Sequence, residues 1–430
     1  MTSRAGGPTL DRRLGTTDAV VIGLGSMIGA GVFVVFGPAA RVAGLGLLLG
    51  LGIAAVIAYC NAVASAQLAA AYPVSGGTYT YGRERLGPWW GFLAGWAFLV
   101  GKTASCAAMA LTFASYCVDG PSWLRRLVAA AAVIAVAALN YRGVSRTAAA
   151  TRVLVGCTLA VLAVFVVAMV TAEPFDLGRL AGWAGAGVDD PYAVLQSAGL
   201  LFFAFAGYAR IATLGEEVKD PSTTIPRAIP RALLGAVVVY ALVAVSALGV
   251  AGPDRLATAA APLAAASDVA DRSGIVPVLG VGAALASLGA LLALMAGIGR
   301  TGLAMARQGD LPAWLGAVHP RYRVPHRAEV ALCAVVVVLV LTTDLRHALG
   351  FSSFGVLLYY AIANAAAYTQ PPADRRWPRG LNVLGAVGCV VLAVTLPWPS
   401  VASGAAMILL GVGARLAVQR RSVRRRQRSR

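Results

Sequence analysis

Long apolar runs separated by short polar segments dominate this chain. They fall near 18–41, 45–70, 89–117, 123–140, 148–172, 191–213, 230–251, 274–304, 328–343, 349–369, 381–396 and 399–418. Most reach or approach the roughly 20 residues a helix needs to cross a bilayer. In hydrocarbon every backbone N–H and C=O must be bonded internally, so continuous apolar runs of this length predict helices. The pattern predicts an all-α integral membrane protein of about twelve transmembrane helices.

Two runs are interrupted by small residues. The first contains Gly23-Leu24-Gly25-Ser26-Met27-Ile28-Gly29-Ala30-Gly31, four glycines in nine residues at mid-run. The sixth contains Phe202-Phe203-Ala204-Phe205-Ala206-Gly207. They stand five helices apart, an odd number, so they cross the membrane in opposite directions. Glycine-interrupted helices at corresponding places in two halves point to an inverted repeat with a substrate site at the interruptions. Gly25 and Gly29 also form a Gly-x-x-x-Gly pair, whose plainer meaning is close helix packing. A nucleotide-binding loop would need a preceding strand and a following lysine, and neither is present.

Composition closes off the water-soluble classes. Charged residues make up 13% of the chain and hydrophobic ones 59%, against about 25% charged in a soluble domain. The excess of 36 basic over 18 acidic residues is informative through its placement. With the first end inside, Arg4, Arg12, Arg13, Arg83, Arg85, Arg142, Arg146, Lys219, Arg227, Arg231, Arg321, Arg323, Arg327, Arg375, Arg376 and Arg379 all fall on the inner side. The opposite loops are acidic around Glu173, Asp176, Asp189 and Asp190. The positive-inside rule then predicts a multi-pass protein of the cell membrane with both termini cytoplasmic. The tail from Arg420 to Arg430 is predicted to meet anionic lipid rather than nucleic acid.

Further chemistry is sparse. The six cysteines lie in apolar runs without metal-ligand spacing and read as small core residues. His319, His326 and His347 assemble with no Ser or Cys motif. No catalytic residue, metal or cofactor is expected. The polar start and the missing Ala-x-Ala pattern argue against a cleaved signal peptide.

Four separated motifs resemble the amino acid–polyamine–organocation (APC) transporter superfamily over about residues 15–420. They are Gly25–Phe33; Tyr72–Tyr79 (Tyr-Pro-Val-Ser-Gly-Gly-Thr-Tyr); Phe202 through Glu216–Pro221 to Ile225–Ile229; and Ala304–Pro312. The resemblance implies a LeuT-like fold, a five-plus-five inverted repeat with discontinuous helices 1 and 6. On it, 1–17 is a cytoplasmic tail, 18–172 and 191–370 are the repeats, 381–418 holds helices 11 and 12, and 419–430 is a basic cytoplasmic tail. It also implies an amino acid permease with its site between helices 1, 3, 6 and 8.

An amino acid brings a carboxylate and an ammonium into a place with little water, so both need fixed partners. The resemblance implies that amides around Ser26, Met27, Ile28, Gly29 and Ala30, with Gly25 beside them, hold the carboxylate at a half-helix N-terminal end. It likewise implies that carbonyls around Gly23 or Leu24, and around Phe203, Ala204 and Ala206, with Gly207 giving access, hold the amine. By resemblance, Phe203 stands where relatives place a gating aromatic. All eighteen carboxylates lie in loops or near run ends, which favours a neutral amino acid over a cationic one.

Two departures concern coupling. Gly207-Tyr208 is followed by Ala209 where many relatives have Glu, and Thr158 stands where many have a helix-5 lysine. Lys102 instead lies about fourteen residues into the third run, roughly 20 Å from its end, too deep to reach the interface. An ionisable group inside the membrane is a functional candidate, here for proton coupling, with a structural brace as its alternative. Arg210, Arg300 and Arg307 with Glu216 and Glu217 are a candidate inner gate. The competing functions are a cationic amino acid or polyamine exchanger and a non-transporting nutrient sensor. A channel would want a periodic polar stripe, and a membrane enzyme embedded His, Asp or Glu clusters; neither is seen.

Overall fold

The computed structural model describes residues 14–72, 76–143, 148–183, 185, 189–212 and 218–428. Among these the structure is helical, apart from an isolated bridge between Leu14 and Val218. The first apolar run is broken. α1 (Thr16–Met27) ends at Ile28, whose angles of φ −79° and ψ 59° leave the helical region. The chain resumes as α2 (Gly31–Val34) and α3 (Phe36–Ala43), with helical angles at the intervening Val35. α4 (Leu47–Ala71), the short α5 (Gly77–Leu86), α6 (Pro88–Cys117), α7 (Ser122–Tyr141) and α8 (Ala148–Val170) follow.

The sixth run is broken too. α9 (Pro191–Phe205) opens with Asp190 accepting the Ala193 N–H at 2.9 Å and with Pro191 in its first turn, both ordinary start signals. It stops at Phe205, and α10 (Ala209–Ala212) resumes after a turn at 206–208. Next come α11 (Pro221–Thr258), α12 (Pro262–Val269), α13 (Val276–Arg307), α14 (His326–Thr342), α15 (Leu345–Tyr368), α16 (Arg379–Thr395) and α17 (Trp398–Arg428).

Some boundaries differ from the pattern of apolar residues. α11 starts well before residue 230 because burial of Ile225, Ala228 and Ile229 keeps the backbone helical through Pro226 and Pro230. α17 continues through the basic tail to Arg428. Among the described residues, nine stretches are long and apolar enough to cross a membrane. α9, α14 and α16, of 15, 17 and 17 residues, are the expected spans that fall short, at about 1.5 Å per residue against a core of about 30 Å. Two cysteines expected in the core, Cys117 and Cys157, are exposed, and Cys333 is half-buried; on an outward apolar face a thiol costs little.

The interior divides into packing groups. Among the described residues the buried members of one cluster come from α6, α7, α13 and α14, Ala110, Val133, Leu291 and Val336 among them. The largest cluster draws heavily on α1 to α4, α9, α11 and α15. The outward faces are apolar: Val153 and Leu234 are each 65% exposed, which suits hydrocarbon rather than water.

Candidate substrate site between the broken helices

The two breaks lie against each other, backbone on backbone. A Cβ at Gly207 would strike the Ser26 carbonyl and the Met27 nitrogen, and one at Gly31 would lie 2.9 Å from Ala204 Cα. Only glycine allows such approach. Gly29 faces α13, where a Cβ would sit 3.2 Å from that of Ala290. Gly23 and Gly25 do a different job, making room for the Ile211 and Val155 side chains. The glycine run therefore combines close backbone approach at the break with room for neighbouring side chains, at different positions.

Three long polar side chains reach this crossing. The Tyr240 hydroxyl, from α11, stands 2.6 Å from the Met27 carbonyl and 2.9 Å from the Ala204 carbonyl, bridging the two breaks. Lys102 Nζ donates to the Ala206 carbonyl at 3.1 Å, and the Tyr360 hydroxyl donates to the same oxygen at 3.2 Å. Ala206 caps the C-terminal end of α9, where the helix dipole favours a cation. Lys102 is 8% exposed.

The expected substrate groups are partly engaged in this conformation. Ile28 N–H donates to the Leu24 carbonyl at 2.7 Å, and Gly29 N–H to the Met27 carbonyl at 2.8 Å. The Ser26 hydroxyl turns back to the Ile22 carbonyl at 2.8 Å. The Phe203 carbonyl accepts from Ala206 N–H, and the Phe203 ring is buried against Gly31. Thr158 bonds its own helix at the Leu154 carbonyl, 2.9 Å away. With Gly25, Ile28 and Ala286 it lines a small cavity beside the α1 break. Lys102 and Thr158 thus serve opposite breaks, Lys102 at the end of α9 and Thr158 beside α1.

Two further groups of side chains join the elements around the crossing. On one side the Tyr116 hydroxyl donates to the Phe33 carbonyl at 2.6 Å and accepts the Leu263 N–H at 3.2 Å, joining α6, α2 and α12. On the other, Asp310 accepts from Tyr79 at 2.8 Å and pairs with Arg83 at 3.3 Å and Arg415 at 3.2 Å. The Asp310 and Arg415 side chains are nearly buried, and Arg415 lies over the Trp89 and Phe92 rings. Burial, then the neighbouring Asp310 carboxylate, pushes the Tyr79 phenol well above its usual range. Of the candidate inner gate, Arg300 and Arg307 are exposed, while Glu216 and Glu217 lie outside the described residues, as do Pro73, Val74 and Ser75 of the second motif.

The apolar pattern did not single out Tyr240, Tyr360, Tyr116 or Arg415. A signal existed: a tyrosine inside a long apolar run must find an acceptor for its hydroxyl, and a broken helix supplies free carbonyls. Glu329 is a second omission. It stands in the first turn of α14, near a run end as read, yet it is 3% exposed and its Oε2 has no hydrogen-bond partner.

The sequence matches known proteins along nearly its whole length. The profile of a family described as amino acid permease covers residues 14–413. An uncharacterized transporter of Mycobacterium tuberculosis is 58% identical over 406 residues, covering 94% of this chain and 91% of that protein. A branched-chain amino acid permease of Bacillus subtilis is 25% identical, covering 95% and 93%. A chloroplastic cationic amino acid transporter of Arabidopsis thaliana is 30% identical, covering 93% and 72%.

Proposed function

The chain belongs to the amino acid permease family, and from that premise we propose that it is a secondary active transporter of neutral amino acids working by alternating access. Its proposed architecture has twelve membrane helices, counting α9, α14 and α16. Residues 18–172 and 191–370 form inverted repeats, with 381–418 outside them. Corresponding elements of the two repeats, α6 and α7 with α13 and α14, share one packing cluster, which supports the pairing. The end carrying Arg83, Arg375, Arg379 and both termini faces the cytoplasm of a cell membrane.

The observation that carries this reading is the backbone-to-backbone stacking of two helix breaks. An amino acid bound there meets amides around the α1 break with its carboxylate, Ile28 to Ala30 in the break and Ser26 and Met27 in the last helical turn before it. Its ammonium meets the carbonyls at Phe203, Ala204 and Ala206, with those of Gly23 and Leu24 as further acceptors. Tyr240 and Lys102 hold two of these carbonyls in this conformation, so substrate entry exchanges protein donors for the substrate's own. Like charges sharing one carbonyl repel, which links substrate binding to the charge on Lys102. We assign Lys102 to proton coupling and Thr158 to the cavity beside α1.

A cation at Ala206, with no carboxylate bonded to it among the described residues, favours a substrate without a second positive charge. The similarity to a protein named a branched-chain amino acid permease agrees, while the Arabidopsis relative's name favours a cationic substrate. Ligand competition by thermal shift separates the two: leucine, alanine, serine and phenylalanine should stabilise the purified protein more than arginine, lysine or putrescine. A clear preference for arginine or putrescine would overturn the neutral assignment.

A further inference from the structure

We propose that a water-bridged polar path between α4, α15 and α16 carries protons between Lys102 and the cytoplasm. This rests on the coupling role assigned to Lys102. The path starts at the Ala206 carbonyl, which Lys102 and Tyr360 share. The Tyr360 ring stacks on Tyr208, centroids 4.9 Å apart, and the buried Tyr208 hydroxyl has no aligned partner although Tyr360 and Asn61 stand beside it. Asn61 accepts from Asn364 at 2.6 Å, and Cys389 of α16 bonds Asn61 at 3.2 Å.

Beyond this knot the three helices, with the turn after α15, carry buried amides with unused acceptors. Among the described residues Asn364 Oδ1, Gln67 Oε1 and Gln370 Oε1 have no partner, and Asn382 has none at either amide atom. All four residues are at most 2% exposed. Gln67 donates to the Ala367 carbonyl at 3.3 Å, Gln370 donates to the Gln67 carbonyl at 3.5 Å, and Arg375 donates to the Gln370 carbonyl at 2.9 Å. Arg375 lies in the basic segment before α16. From Tyr360 to its last residue, Tyr368, the helix rises about 12 Å from the crossing toward the basic segment.

Native interiors leave few polar groups unpaired, and water is their usual partner at polar sites. Aligned orphans on one seam mark a hydrated line, because hydrocarbon neighbours could not satisfy them. Gly385 makes room for the Asn364 amide on this seam, since a Cβ there would lie 2.5 Å from Asn364 Oδ1. Proton transfer leaves Lys102 as a neutral amine holding the N–H electron pair, and the proton passes between bridging waters to bulk water. The ionisable groups nearest its start are Cys106 on α6, Tyr359 and Tyr360 on α15, Tyr208 at the α9 break and Cys389 on α16. Glu329 lies beyond Cys106.

The test uses the full chain in proteoliposomes, with L-leucine, or the panel's best neutral amino acid, as probe. Gln67→Leu and Asn382→Leu plug the path away from the substrate site. Each should cut accumulation driven by a pH gradient at least about tenfold while counterflow at equal pH stays within about twofold. Gln67→Asn and Asn382→Ser should restore gradient-driven uptake, and they keep the test usable if a leucine variant misfolds. Gradient-driven uptake near the unmodified level in both leucine variants would overturn the path. Lys102→Ala separates the two readings. If it loses coupling while the plugged variants keep it, only the path fails. If it keeps coupling while the plugged variants lose it, Lys102 is not the carrier and a path starting from it is overturned.

Discussion

Individual residues at the crossing differ in what they tolerate. Gly207 lies on the Ser26–Met27 peptide, so even a methyl group displaces one break from the other. Gly207→Ala should cost about 2–3 kcal/mol of stability by overpacking and abolish amino acid binding. Gly29→Ala meets only the Ala290 methyl at 3.2 Å, so it should remain folded and bind within a few-fold of the unmodified protein; thermal unfolding with and without ligand reads both. Lys102 divides two roles. As a proton carrier, Lys102→Ala keeps substrate binding and loses dependence on a pH gradient, and Lys102→Arg fails to restore it because guanidinium does not release its proton. As a brace on the α9 terminus, Lys102→Arg preserves transport and Lys102→Ala lowers thermal stability. The account predicts the first pattern, measured as uptake by both variants against a gradient.

At the scale of elements, the breaks in α1 and α9 are joined by α11 through a single hydroxyl. Tyr240→Phe removes the bridge between the Met27 and Ala204 carbonyls without changing the ring's packing on Phe205. It should lower stability by about 1–3 kcal/mol, the cost of leaving buried carbonyls unpaired, and weaken substrate binding; unchanged melting and affinity would show that the bridge is dispensable. Both breaks were legible in the sequence, because small residues interrupt two runs that stand five helices apart, at corresponding places. Their partners were not. Tyr240 and Tyr360 sit in runs whose hydropathy they barely disturb, and only the crossing of distant helices brings their hydroxyls to free carbonyls. The helices α5 and α12 were also invisible to the apolar pattern, since they lie between runs and are amphipathic or short. Lys102 was legible as an anomaly of depth, but its attachment to Ala206 depends on where α9 ends.

For the whole molecule, the apolar runs gave the order and approximate limits of the helices, and basic and acidic loops alternated as a membrane topology requires. By length nine stretches among the described residues qualify as spans, and the proposed twelve adds α9, cut short by its own break, with α14 and α16. The contacts at Tyr116 and at Asp310 join elements on the two sides of the crossing. On the proposed repeats each contact joins both halves, so releasing one while the other holds is the motion that the proposed alternating access demands. The most direct test is uptake of a panel of labelled amino acids into proteoliposomes, with and without an inward proton gradient. The account predicts that neutral amino acids accumulate above equilibrium only with the gradient and that a protonophore abolishes the accumulation. Failure of every neutral amino acid to enter or exchange, or transport confined to arginine, lysine or putrescine, would contradict it.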